Sequence, residues 1–167
     1  MPGSHLFTVL GLALAAMQAQ AAPGRSAHAD AAATAAANGV QRIALDDAAL
    51  GALPRERVSA QAHGQQLDCE GVALRAVLQA QRAMPSEPLR GAQLQRRVEV
   101  AARDGYAAVF TLAELDPTLG ARRVLLVDRC DGKPLAAEDG PLRLIVPQDQ
   151  RPARWVRQVQ SIAVVTP

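Results

Sequence analysis

Between Arg97 and Phe110 the chain switches between apolar and polar positions with a period of two. Val98 and Val100 stand between polar neighbours, Asp104-Gly105 interrupts them, and Tyr106 to Phe110 resumes the alternation. Alternation broken by a tight-turn dipeptide predicts a hairpin with one buried face. A second hairpin is predicted where Arg57–Ala62 and Gln66–Cys69 flank His63-Gly64-Gln65. Upstream, Gln41–Leu45 reads as a strand, and Asp46 or Asp47 can cap a short helix running to Leu53, which Pro54 stops. The period changes at Val72, Leu74, Val77 and Leu78, which with Ala73, Ala76 and Ala80 have helical spacing and predict an amphipathic helix ending before Met84-Pro85-Ser86-Glu87-Pro88.

The remaining pattern is β-rich. Thr111-Leu112-Ala113-Glu114 has capping-box spacing, so one helical turn is expected before Asp116-Pro117. Arg123–Val127 and Leu142–Val146 are short apolar runs expected as buried strands, with Asp131-Gly132 as a hairpin turn between them and Val159–Val165 as the last strand. Strands without regular intervening helices predict an α+β domain, not a doubly wound sheet.

The N-terminal pattern is different. Leu6 to Met17 is a 12-residue apolar run, too short to span a bilayer, and Ala19-Gln20-Ala21 places small residues where signal peptidase requires them. Residues 1–21 therefore read as a secretory signal, and 22–40 as an Ala-rich linker whose small side chains bury too little area to offset their ordering. The folded domain is expected over 41–167. No later segment is apolar enough for a membrane helix, so the mature product is expected in the periplasm or secreted, in an oxidising compartment.

With 167 residues and 49% hydrophobic positions, the chain has room for one modest core. Only four residues are aromatic, so Leu, Val, Ile and Ala must supply that core, and a base-stacking nucleic-acid platform is not expected. The formal charge of +2 selects no partner. Locally, Arg143, Arg151, Arg154 and Arg157 against Asp149 alone make residues 141–167 the most cationic stretch, which fits either an anion site or a solvated basic edge.

Walker, Gly-x-Gly-x-x-Gly, Gly-x-Ser-x-Gly and His-Glu-x-x-His motifs are absent from the sequence. His5 falls in the signal and His28 in the linker. His63 is then the single histidine of the domain, which excludes zinc held by several histidines and reads most simply as a turn residue. Cys69 and Cys130 are the only thiols; they are either one disulfide or two buried free cysteines.

Three C-terminal segments carry a family likeness: Gly132-Lys133-Pro134-Leu135, then Asp139-Gly140-Pro141-Leu142-Arg143-Leu144-Ile145-Val146-Pro147, then Ala153-Arg154-Trp155-Val156-Arg157. Their order and spacing resemble the signature of the sulfite-oxidase-like molybdopterin-binding family. Asp104-Gly105-Tyr106-Ala107-Ala108-Val109-Phe110 is similar to the family's segment bearing its active-site tyrosine, and Gly71-Val72-Ala73-Leu74 to its short helix. The resemblance spans roughly Ile43 to Val164 and implies a mixed β-sheet with short helices.

It also implies roles. Tyr106 falls at the family's catalytic tyrosine, beside the metal's oxo ligand and substrate. Arg154 and Arg157 fall at basic positions near the pterin phosphate, and Arg143 in the Pro-Leu-Arg strand joins them as a cofactor-binding candidate, since guanidinium forks suit phosphate oxygens. The family's molybdenum-ligating cysteine corresponds to Ala62, which cannot ligate. Cys69, seven residues on, is the remaining thiolate candidate for a metal. No Arg-Arg pair precedes the apolar run, whereas molybdopterin enzymes of this type generally load in the cytoplasm and cross folded by the twin-arginine route. Two expectations follow: an exported molybdopterin oxidoreductase with an unidentified redox partner, or a non-catalytic descendant of that fold binding a pterin, a small anion or a protein partner.

Overall fold

A computed structural model describes residues 39–167. The signal expected at 1–21 and most of the linker expected at 22–40 lie outside them. The described chain is α+β, with nine strands and a few short helices. Strand β1 (Val40–Ile43) leads into a one-turn helix α1 (Asp47–Leu50), capped by Asp46, whose side chain accepts from the Ala49 N–H. Strands β2 (Arg55–Ala62) and β3 (Gln65–Ala73) form the first hairpin, and helix α2 (Leu74–Ala80) follows directly. Strands β4 (Arg97–Ala102) and β5 (Ala107–Thr111) form the second hairpin, followed by α3 (Leu112–Leu115). The rest comprises a 3₁₀ turn at Gly91–Gln95 before β4, then β6 (Leu125–Cys130), β7 (Lys133–Pro134), β8 (Arg143–Ile145), a second 3₁₀ turn at Pro152–Arg154, and β9 (Val159–Val165).

The mixed sheet implied by the family likeness is instead two antiparallel sheets. One has the order β1-β9-β4-β5; in the other, β2-β3-β6 continues into β7 and β8, which share one edge of β6. Every described pairing is antiparallel. Tight turns suffice for the hairpins, whereas a parallel pair needs a crossover of a dozen or more residues, usually a helix. Burial follows the sequence pattern. Strands β4 and β5 bury alternate residues, among them Val98, Val100, Ala108 and Phe110, while Leu125, Leu126 and Val127 of β6 and all three residues of β8 are buried without alternation. Both sheets and α2 contribute to one hydrophobic cluster.

Two local findings revise the predicted boundaries. The helix expected from Val72 starts at Leu74, because Gly71, Val72 and Ala73 continue β3 and pair with Val127, Leu126 and Leu125 of β6. The register shifts at Glu70/Gly71, and a Cβ at residue 71 would lie 2.1 Å from the Leu126 carbonyl oxygen, so only glycine fits. The β2–β3 turn is two residues long, His63-Gly64, both with positive φ (+52° and +78°), the turn that matches strand twist. The capping box of α3 forms as predicted: the Glu114 N–H donates to Thr111 Oγ1, and Glu114 accepts from the Thr111 N–H.

Candidate functional site

Tight turns from both sheets converge on one cleft of about 470 Å³. The β2–β3 hairpin supplies Ala62, His63, Gln65 and Leu67, and the β4–β5 hairpin supplies Ala102, Asp104 and Tyr106. The opposite wall comes from the arginine-bearing C-terminal segments. Asp139 enters from the segment leading into β8, Arg143 from the start of β8 itself, and Ala153, Trp155 and Arg157 from the 3₁₀ turn at Pro152–Arg154 and the residues after it. The volume lies in the range of small-molecule sites.

Backbone hydrogen bonds bring residues 139–144 and 156–159 together. The Leu144 N–H donates to Val156 O, the Val159 N–H to Leu142 O and the Gln158 N–H to Asp139 O, each at 2.8 Å. This ladder sets Arg143 and Arg157 on neighbouring segments with Asp139 between them. Arg143 Nη1 donates to Asp139 Oδ2 at 2.8 Å, and Arg157 Nε lies 3.9 Å from Asp139 Oδ1. Their environments differ: the Arg143 side chain is 9% exposed and that of Arg157 is 62% exposed. Arg143 Nε is buried and has no hydrogen-bond partner.

Tyr106 is half exposed, and its hydroxyl donates to the Ala153 carbonyl, joining the β4–β5 turn to the 3₁₀ turn. Its N–H is held by Asp104 Oδ1 at 2.9 Å, a local side-chain turn. Trp155 is buried, with Nε1 donating to Val146 O at 3.0 Å. Its ring therefore meets the cleft from a fixed position.

Arg154 is placed elsewhere. Its Nε and Nη2 hold both oxygens of Asp149 at 2.9 and 2.8 Å, its Nη1 donates to Glu114 at 3.0 Å, and its guanidinium carbon lies 4.6 Å from the Phe110 ring centroid. Arg122 joins through Asp149 at 2.8 Å. The Arg154 hydrogen bonds hold the Asp149 carboxyl below its ordinary range. Burial works against ionisation of Glu114, yet the Thr111 N–H and Arg154 outweigh it and lower that carboxyl too. This cluster fixes the 3₁₀ turn to α3, so Arg154 supports the wall that presents Ala153 and Trp155 without lining the cleft itself.

Cys69 is also away from the cleft. It stands opposite Cys130 in the β3–β6 ladder, and the two form a disulfide. The Asp131 N–H donates to Asp68 O at 2.7 Å, so the ladder hydrogen bond beside the cysteines runs between their neighbours, the arrangement that brings facing side chains closest.

These placements test the group implied by the resemblance. A molybdenum centre of that kind needs a thiolate; Ala62 stands on the cleft wall without one, and the Cys69 sulfur is bonded to Cys130. Among the described residues, no three His, Cys, Asp or Glu side chains gather as a metal site, and the Arg154 fork is already filled by Asp149. The donor set does not fit molybdenum. Tyr106, Arg143 and Arg157, by contrast, all line the one cleft.

Residue-by-residue reading of the sequence did not single out Asp139 as the carboxylate between the two arginines. Its signal was the i, i+4 spacing to Arg143 across Gly140-Pro141, which has meaning only once the ladder to residues 156–159 has formed. His63, read as a turn residue, is one, and the same turn exposes it at the cleft. In comparisons with known proteins, no family model and no curated protein matches this sequence.

Proposed function

We propose that this chain is an exported, metal-free anion-binding domain with a sulfite-oxidase-like fold, a non-catalytic relative of molybdopterin oxidoreductases. The observation that carries the reading is Arg143, nine-tenths buried on the wall of a small-molecule-sized cleft with Nε unpaired. A buried guanidinium N–H without an acceptor is costly, and an anion entering the cleft would supply one. Arg157, exposed at the same wall, adds a second positive charge, and Tyr106 borders it. The fold assignment draws on the resemblance of the C-terminal and Tyr106 segments to the family's, and is supported by Tyr106, Arg143, Arg157 and Ala62 all lining one cleft. Export draws on the 1–21 leader, and the Cys69–Cys130 disulfide agrees with an oxidising compartment.

The competing reading, a molybdopterin oxidoreductase, is favoured by the same convergence and opposed by the missing thiolate. The molybdenum-to-protein ratio of mature protein from a molybdopterin-competent host, measured by elemental mass spectrometry, separates the two. A ratio near zero is expected, together with saturable binding of at least one of acetate, sulfate and phosphate that weakens in Arg157→Gln. A ratio near one, or no binding of any of these anions, overturns the proposal.

A further inference from the structure

We infer that the ligand of this cleft is a small organic carboxylate seated on the Nε/Nη2 edge of Arg143; the inference rests on the anion-binding reading above. Two arginines of the chain differ in how far their guanidinium donors are filled. Arg154 spends Nε and Nη2 on the two oxygens of Asp149 and Nη1 on Glu114. Arg143 repeats the second half of that arrangement, with Nη1 on Asp139 at 2.8 Å. The first half is missing. Its Nε has no partner, and among the described residues nothing accepts from Nη2. That edge is a two-donor fork whose geometry matches the two oxygens of a carboxylate, the group that fills it at Arg154.

Charge and shape narrow the class further. Arg143 and Arg157 face Asp104 and Asp139 around the cleft, so the arginine charges are formally matched before any ligand enters. A monoanion suits that balance better than a phosphate dianion, which both aspartates would repel. Leu67, with the edges of the largely buried Trp155 and Ala62, adds an apolar part to a lining that is otherwise mostly polar, and a small hydrocarbon body would cover that part where an inorganic oxyanion would leave it wet.

Trp155 is the single tryptophan of the chain, so its fluorescence reports on the cleft directly. The full mature chain, with the disulfide intact, is titrated at constant ionic strength with cyclohexanecarboxylate, its neutral isostere cyclohexanecarboxamide, and inorganic phosphate. A saturable change with the carboxylate at millimolar or lower concentration is expected, about tenfold or more tighter than with either of the others. Arg143→Lys, which keeps the charge and loses the fork, should weaken the carboxylate about tenfold while the thermal transition persists. If that buried substitution prevents folding, the ligand ranking on the unmodified chain decides the matter. Phosphate binding as tightly as the carboxylate overturns the carboxylate assignment and leaves the anion site standing. An unchanged carboxylate affinity in a folded Arg143→Lys overturns the fork. Failure of both anions to bind, or carboxamide binding equal to carboxylate, overturns the carboxylate site; silence to acetate and sulfate as well overturns the anion-binding reading beneath it.

Discussion

The Tyr106 hydroxyl donates to the carbonyl oxygen of Ala153, across a separation of 47 residues, and so closes one side of the cleft. The β4–β5 turn is also tied to the chain beyond the 3₁₀ turn, where the Arg103 N–H donates to Gln158 O at 3.1 Å. Tyr106→Phe keeps the ring and removes the donor. Because Tyr106 is half exposed and water can replace its partner, the expected loss of stability is small, about 0.5–1 kcal/mol by chemical denaturation. Weakened binding of carboxylate or other anions alongside near-native stability would place its contribution in the cleft.

Arg154 should behave differently from the cleft arginines. Arg154→Ala leaves Glu114 with Arg122 3.6 Å away and removes the bidentate partner of Asp149, so a loss of about 2 kcal/mol is expected. Arg154→Lys should recover little of it, since an ammonium cannot span both oxygens of Asp149. Denaturation midpoints of the two variants check this, and a lysine variant as stable as the original chain would contradict the fork geometry.

Acid should act on Asp116. Its buried carboxylate accepts from the Thr118 hydroxyl at 2.6 Å, the Leu89 N–H at 2.8 Å and the Thr118 N–H at 2.7 Å, and these bonds, the Thr118 hydroxyl foremost, lower its pKa from the ordinary 3.8. A carboxyl lowered on folding contributes stability that is complete above its unfolded value and lost as pH falls through its folded one. Stability is therefore expected to fall as pH drops below 3.8, with Asp149 adding over the same range and Glu114 from below 4.5. Asp116→Asn should be less stable at neutral pH and show a shallower acid limb in a stability-versus-pH series.

The disulfide closes a loop between residues 61 apart, for which chain-entropy reasoning gives about 4 kcal/mol. The double variant Cys69→Ala/Cys130→Ala should lose stability of that order in denaturant. A thiol assay on the denatured, unreduced protein should find no free cysteine, since the sequence contains only these two.

Gly71→Ala should be the most damaging single methyl in β3. The added carbon would meet the Leu126 carbonyl oxygen and the Val127 Cα, backbone atoms with no rotamer to yield, in a strand whose pairing with β6 also carries the disulfide. A loss of about 2–3 kcal/mol is expected from circular dichroism melts compared at equal concentration.

Much of the element order was legible because it rests on local chemistry. The alternation of Val98 and Val100, the Thr111–Glu114 capping box, the His63-Gly64 and Asp131-Gly132 turns and the bounds of β9 each depend on residues within a few positions of one another. The boundary at Val72 was not legible. Whether Val72 and Ala73 join a helix or a strand is decided by Leu125 and Leu126, more than fifty residues away, which offer them backbone partners.

The sequence by itself determined which side chains were available: one tyrosine, two cysteines and a cluster of C-terminal arginines. Tertiary structure decided their uses. Arg154 and Arg143 are both arginines in the same cationic stretch, yet one is filled by Asp149 and Glu114 while the other lines the cleft with a buried Nε that has no partner. Likewise, Cys69 had either a disulfide or a free thiol open to it until β3 and β6 paired in the register that sets it opposite Cys130. The physical reason is common to both cases: a side chain's chemistry is local, but its partners, its burial and its access to solvent are set by strands and turns that meet only when the whole chain has folded.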